Sequence, residues 1–355
     1  MADLSTRRHF LVRGSVVLAG AALGGALRPR DLLAAQAILG KSAIAPVVRF
    51  GIVTDIHYAD QAPAGSRIYR DSLAKMNTAV AALNAAAKKD ALGLAFAVTL
   101  GDMIDSPAAP DMTPENIAVE TGYLKSIEAE WSKVAVERHY VLGNHCVFTL
   151  TKKEFFANTK ARPAPYSFDV PFHSGSGALH FVVLDACFKA DGTPYGRRNA
   201  DWQDTNIPAG QVKWLADDLA KTKNPVIIFA HQRLDGETAN GAGDFQVKNA
   251  AAVRAVLEKS GRVLAVLQGH SHQNFLETVN GIPYCVLRAM VEDPGAPNNA
   301  FAAIEIFPDH SVAIRGNFRQ DSYENLSKKS VTTISTSKTA EIKMPPPRLE
   351  LGLTV

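Results

Sequence analysis

A chain of 355 residues, 46% hydrophobic and 21% charged, can bury a sizeable core; this excludes a disordered polymer and fits one large globular domain. Its formal net charge of +3 resides in the first 37 residues, which hold five Arg and two Asp; without them, basic and acidic residues balance. That balance excludes a global basic field, so long nucleic acid is not an expected partner.

At the N-terminus, Ser5-Thr6-Arg7-Arg8-His9-Phe10-Leu11 has the twin-arginine pattern, residues 15–27 supply an apolar, Gly/Ala-rich stretch, and Ala35-Gln36-Ala37 offers a small-residue cleavage site. Residues 1–37 are therefore expected to be a twin-arginine signal peptide. The expected partner is the twin-arginine export machinery, and the expected location is periplasmic or secreted in a bacterium. An uncleaved leader or membrane anchor is the alternative reading. Elsewhere no stretch reaches the roughly 18 apolar residues of a spanning helix, so the mature chain is expected to have no stable membrane span.

Past this leader, apolar and β-branched runs at residues 47–54, 94–100, 137–142, 225–230 and 263–268 predict buried strands. Amphipathic stretches at residues 69–89, 114–133, 211–221 and 247–259 predict helices between several of them. Such alternation predicts a mainly parallel sheet covered on both faces, with ligands beyond the carboxyl ends of the strands. The chain places its candidate metal donors there: Asp55 and His57 after the first run, Gly101-Asp102-Met103-Ile104-Asp105 after the second, Gly143-Asn144-His145 after the third, His231 after the fourth, and Gly269-His270-Ser271-His272 after the fifth. Carboxylate, amide and imidazole donors delivered from five points in the chain suit a two-metal hydrolytic centre. A lone His231 would ordinarily be a core or surface residue; its place in this series makes it a candidate ligand.

Residues 166–188 read as two strands, ending at Asp185-Ala186-Cys187. Residues 191–206 are polar, aromatic and irregular, either a substrate loop or a plain surface loop. Runs at 275–279 and 283–287 flank Asn280-Gly281, a hairpin signal, and runs at 301–307 and 311–317 form a second pair. A second sheet packed on the first follows. The expected catalytic domain is residues 46–323. Residues 324–355, rich in Ser, Thr, Lys and Pro, are expected to form an extended or mobile tail.

The order DxH, GDxxD, GNH, H, GHxH resembles the calcineurin-like metallophosphoesterase superfamily. Within it, the stretch 50–317 is most similar to manganese-dependent ADP-ribose/CDP-alcohol diphosphatases, through residues 51–60, Ile68-Tyr69-Arg70-Asp71-Ser72-Leu73, residues 140–145 and Val183-Leu184-Asp185-Ala186. The resemblance implies an α/β fold, a four-layer αββα sandwich of two mixed β-sheets. It also implies two divalent metal ions, manganese foremost, with iron, zinc or cobalt as alternatives. One would be held by Asp55, His57, Asp102 and His272, the other by Asp102, Asn144, His231 and His270, with Asp102 shared. A metal-bridged hydroxide would then attack phosphorus. His145 would protonate the leaving group and Asp105 would orient it.

Where relatives carry an acid after GNH, this chain has Cys146, read either as a thiolate ligand or as a buried neutral thiol. With Cys187 and Cys285 it makes an odd cysteine count, and a Cys146–Cys187 disulfide is one expectation. Arg70 and Arg233 are candidate substrate-binding residues, since a guanidinium fork suits phosphate; an ion pair is the competing reading for each. Tyr69 either stacks on a base or packs in the core. The expected activity is hydrolysis of a small phosphorylated or nucleotide substrate, a nucleoside diphosphate-linked sugar or alcohol foremost. The alternatives are a broad periplasmic phosphomonoesterase or cyclic nucleotide phosphodiesterase and, more remotely, a non-catalytic secreted binding protein.

Overall fold

The computed structural model describes residues 11–12, 15–16, 44–106, 111–236, 245–327 and 332–334. The chain divides into two compact units, Met1–Pro46 and Val47–Val355. In the first, Leu11–Val12 pairs antiparallel with Ser15–Val16. The rest of the expected signal peptide lies outside the described residues.

The second unit runs through β1 (Val48–Val53), α1 (Asp71–Ala87), β2 (Phe96–Thr99), α2 (Pro114–Trp131), β3 (Glu137–Tyr140), α3 (Lys152–Ala157), β4 (Tyr166–Pro171) and β5 (Ala178–Val183). It continues through α4 (Ala209–Lys221), β6 (Val226–Phe229), α5 (Ala250–Ser260), β7 (Val263–Gln268), β8 (Phe275–Val279), β9 (Ile282–Val286), β10 (Ala300–Ile306), β11 (Val312–Phe318), β12 (Ser322–Glu324) and β13 (Thr332–Ile334). Two mixed sheets result, in the orders β13-β12-β11-β10-β1-β2-β3 and β8-β9-β7-β6-β5-β4. Neighbours are parallel along β1-β2-β3 and along β5-β6-β7-β9, and antiparallel elsewhere. These are the two mixed sheets that the resemblance implies; the parallel pairing expected from strand–helix alternation holds within β1-β2-β3 and β5-β6-β7-β9 and not at the flanking strands. The short hairpin connections β8–β9 and β10–β11 leave no room for the crossover that parallel pairing needs.

Each sheet has two apolar faces, which is why its strands read as continuous hydrophobic runs. From β1, Phe50 and Ile52 join Phe96, Val98, Phe181, Ile227, Phe229 and Ile304 between the sheets. Phe50 stacks on Phe96 at 4.7 Å, and meets Phe181 edge-on at 5.4 Å from the opposite sheet. Outside, Met76, Leu83, Leu124 and Trp131 of α1 and α2 cover one sheet, while Leu215, Leu219, Val253 and Leu257 of α4 and α5 cover the other. The layers are αββα. Pro114 opens α2 behind Thr113, whose hydroxyl accepts from the Asn116 amide at 3.2 Å.

The expected disulfide is corrected. Cys146, Cys187 and Cys285 are free and buried. The Cys146 sulfur accepts from the Met103 amide at 3.3 Å, whereas the Cys187 sulfur lies 3.6 Å from the Leu142 carbonyl. At the carboxyl end, β12 and β13 carry the sheet past residue 323, where the sequence pattern fades, and the tail from 335 onward lies outside the described residues.

Candidate metal centre

Five parallel strands end at one edge of the sandwich and deliver the donors just beyond their last residues. Asp55 and His57 follow β1, Asp102 follows β2, Asn144 and His145 follow β3, His231 follows β6, and His270 and His272 follow β7. Asp55, His57, Asp102, His270 and His272 all have φ between 46° and 73°. Left-handed backbone is costly for residues with a Cβ, and five such positions in one site mark a place where geometry is held against local preference. Two glycines permit the approach. A Cβ on Gly143 would lie 2.1 Å from Asp102 Oδ1, and one on Gly269 would lie 2.3 Å from Thr54 Oγ1 and 2.5 Å from Asp55 Oδ2.

Asp102 Oδ2 lies 3.0 Å from His231 Nε2 and 3.4 Å from His57 Nε2. Asp55 Oδ1 is 3.4 Å from His272 Nε2, and the Nε2 atoms of His57 and His272 face each other at 3.1 Å. Three sets of potential ligands result among the described residues: Asp55, His57 and His272; Asp102, His231 and His270; and His57, Asp102 and His145. Asp102 belongs to two of these and His57 links the first to the third.

Three imidazoles have their outer nitrogens committed. His57 Nδ1 is 3.1 Å from Asp105 Oδ2, His272 Nδ1 is 2.5 Å from Glu292 Oε1, and His231 Nδ1 is 2.7 Å from the Leu100 carbonyl. Carboxylate and carbonyl oxygens only accept, so each Nδ1 carries the proton and, in a neutral ring, turns the Nε2 lone pair inward. This tautomer is the one a metal ligand needs. Among the described residues, Asn144 Oδ1 and His270 Nε2 are buried with no hydrogen-bond partner, a cost a cation at this position would remove. The donor set therefore fits hard or borderline divalent ions.

The electrostatics are strongly perturbed. Burial alone would raise the Asp102 carboxyl, but His231, His145 and His57 around it hold it well below the usual carboxylate range. Burial would lower His272, yet Asp55 and Glu292 push it up to about 9. His270 is driven down to about 3 by burial and by its neighbour His231.

His145 stands at the mouth with its side chain 24% exposed, and its Nδ1 lies 2.9 Å from Asp105 Oδ1. Asp105 thus contacts both His145 and His57, and also accepts from Arg67 Nη1 at 3.2 Å. Cys146 is fully buried, its thiol pushed up to about 12 by burial and then by Asp102; it stays a neutral thiol and is absent from the ligand sets.

Neither arginine singled out in the sequence is placed to grip a phosphate. Arg233 is buried, Nε and Nη2 both donate to Asp235, and its guanidinium covers the Phe275 ring at 4.3 Å. Its fork is already used. Arg70 is a surface residue whose Nε donates to Asp60 Oδ1 at 2.5 Å. Tyr69 is buried with Ala59, Ala289 and Val291, so it packs. Sequence reasoning missed Arg67 and Glu292, whose neighbours in the fold are remote in the chain. It also missed Thr54, whose hydroxyl donates to Asp55 Oδ2 at 2.6 Å and whose place beside Asp55 was the only signal.

Residues 48–274 match the profile of the calcineurin-like phosphoesterases. The chain belongs to that family. This calcineurin-like phosphoesterase is a metal-dependent hydrolase of phosphoric esters or anhydrides. It is 25% identical over 319 residues to a manganese-dependent ADP-ribose/CDP-alcohol diphosphatase of Oryza sativa subsp. japonica, covering 78% of this chain and 94% of that relative. The enzyme of the same name from Arabidopsis thaliana is 24% identical over 336 residues, with 81% and 100% covered. A dimetal phosphatase from Danio rerio superposes with a TM-score of 0.64 at 20% identity, covering 80% of this chain and all of that one, and shows the same fold.

Proposed function

We propose that this phosphoesterase cleaves the phosphoanhydride of small nucleoside diphosphate-linked compounds, of the ADP-ribose or CDP-alcohol type, with two divalent ions, manganese foremost. The observation that carries the reading is the shared position of Asp102, which belongs to two of the ligand sets and whose Oδ2 lies close to both His231 and His57. The names of the two plant relatives supply the substrate class and the metal.

Asp55, His57, Asp102 and His272 would hold one ion, and Asp102, Asn144, His231 and His270 the other. When bound, such ions supply Lewis acidity at the phosphoryl oxygens and acidify water. The chain's own residues do the rest. Asp105 fixes the His145 ring through Nδ1, leaving Nε2 to face the departing oxygen and give it a proton. The nearby carboxylates of Asp105 and Asp102 outweigh burial and raise the affinity of His145 for that proton. Arg67, half-exposed beside Asp105, adds a positive charge at the mouth where substrate phosphate would enter.

The test is turnover of ADP-ribose, CDP-choline, 2′,3′-cyclic AMP and p-nitrophenyl phosphate with added manganese. Preference for the first two is expected. Preference for p-nitrophenyl phosphate by orders of magnitude would replace this reading with a broad phosphomonoesterase.

The twin-arginine pattern at Arg7 and Arg8 supports export of the folded enzyme to the periplasm or beyond. N-terminal sequencing of the native product is expected to begin after residue 37; an intact cytoplasmic chain would refute it.

A further inference from the structure

The two sides of the metal centre carry opposite chemistry. Beside His272 opens a cavity of about 520 Å³ whose lining is polar, including Ser66, Gln273, Asn274, Arg288 and Asp321. Beside His270 the neighbours are aromatic. The Phe245 ring meets the His270 ring at 5.5 Å, and the Trp202 ring lies 5.3 Å beyond Phe245.

Trp202 is 43% exposed, while Trp131 is fully buried in the helix-covered core. An exposed indole gives up much of its burial free energy, so its presentation calls for a reason. The turn that carries it is fixed in place. The buried Tyr195 hydroxyl sits 2.7 Å and 2.8 Å from the carbonyl oxygens of Asp201 and Asp204. The Asp201 side chain accepts from the Gln203 amide at 3.0 Å, and Asp204 pairs with Lys248 at 2.9 Å. Phe245 is tied to the scaffold through its carbonyl, which accepts from the Arg233 amide at 3.2 Å, two residues beyond His231. Trp202 also lies in segment 191–206, whose length and composition single it out in the sequence.

We propose that Trp202 and Phe245 form the stacking platform for the base of a nucleotide whose phosphates lie at the metal centre. The proposal rests on the substrate reading above and deepens it by assigning the base to the His270 side and the hydroxyl-rich or alcohol half to the polar cavity beside His272. A planar base offers a π face to an indole; a sugar, an alkyl alcohol or a phosphate does not.

The test measures binding of two non-hydrolysable probes to the manganese-loaded protein by calorimetry, α,β-methylene-ADP and methylenediphosphonate, which differ by the nucleoside. The nucleoside is expected to tighten binding about tenfold through stacking. Trp202→Ala is expected to erase that advantage and leave the diphosphonate unchanged, and Trp202→Phe to keep most of it. Tryptophan fluorescence should be quenched by the first probe alone. Equal binding of both probes to the wild type, or an unchanged nucleoside advantage in Trp202→Ala, would overturn the platform. Absence of ADP-ribose turnover alongside an intact nucleoside advantage would instead count against the substrate reading and leave the platform standing.

Discussion

Between the sheets, Phe50, Phe96, Phe181 and Phe229 pack ring against ring in regular strand geometry; just beyond the ends of β1, β2, β6 and β7, Asp55, Asp102, His231 and His270 are also buried but hold charge and lone pairs, with left-handed backbone at Asp55, Asp102 and His270. The first region stabilises the fold by removing apolar surface from water. The second spends some of that stability on donors that find their partners in an ion. Burial is therefore a poor guide to what a residue does here, and chemical satisfaction is a better one. Phe181 is complete in the protein alone, whereas Asn144 Oδ1 and His270 Nε2 are not.

Three substitutions sharpen this contrast. The largest effect is expected from His145→Ala, which removes a proton donor that touches the substrate without removing a proposed ligand. Turnover should fall about 10²–10⁴-fold with metal content unchanged, read by steady-state kinetics beside metal analysis; loss of metal would move His145 into the ligand set. Next comes Phe181→Ala. Truncating a fully buried ring should cost about 3–5 kcal/mol in denaturant unfolding, equally with and without manganese. A manganese-dependent cost would mean that the core and the centre are not separate.

The smallest expected effect concerns Glu120 on α2. It is fully buried, and burial pushes its carboxyl up to about 7, against weaker pulls from Thr149 and the Leu150 backbone. Site carboxylates are held charged by histidines; this one is held neutral. Because the folded state binds its proton more tightly than the unfolded chain, Glu120 penalises folding increasingly as pH rises from its ordinary value through 7. The penalty is on the order of 3 kcal/mol above that range. Glu120→Gln should thus raise the melting temperature at pH 8 and change it little at pH 5. Equal shifts at both pH values would contradict the sign.

Much of the centre was legible because candidate metal donors repeat at one kind of place, the first few residues after a buried strand. Asp55, Asp102 and His231 announce themselves that way. The strands of the two sheets were legible from their apolar runs, but which pairs run antiparallel depends on connection length. Arg233 misled because proximity to His231 in sequence says nothing about the direction of a side chain; Asp235, two residues on, was the visible hint of where its fork goes. Glu292 was not legible. Its contact with His272 forms because the chain after β9 runs back across the end of β1, where the Met290 and Val291 amides donate to the carbonyls of Thr54 and Asp55. The Trp202–Phe245 pair likewise joins two loops that no local pattern connects.

Counting the metal bound per chain tests the central claim most directly, by elemental analysis of the manganese-equilibrated wild type and of Asp102→Ala after removal of free metal. The account predicts two ions in the wild type and loss of both, or of all but a weakly held one, in the variant. One ion in the wild type, or two retained without Asp102, would contradict it.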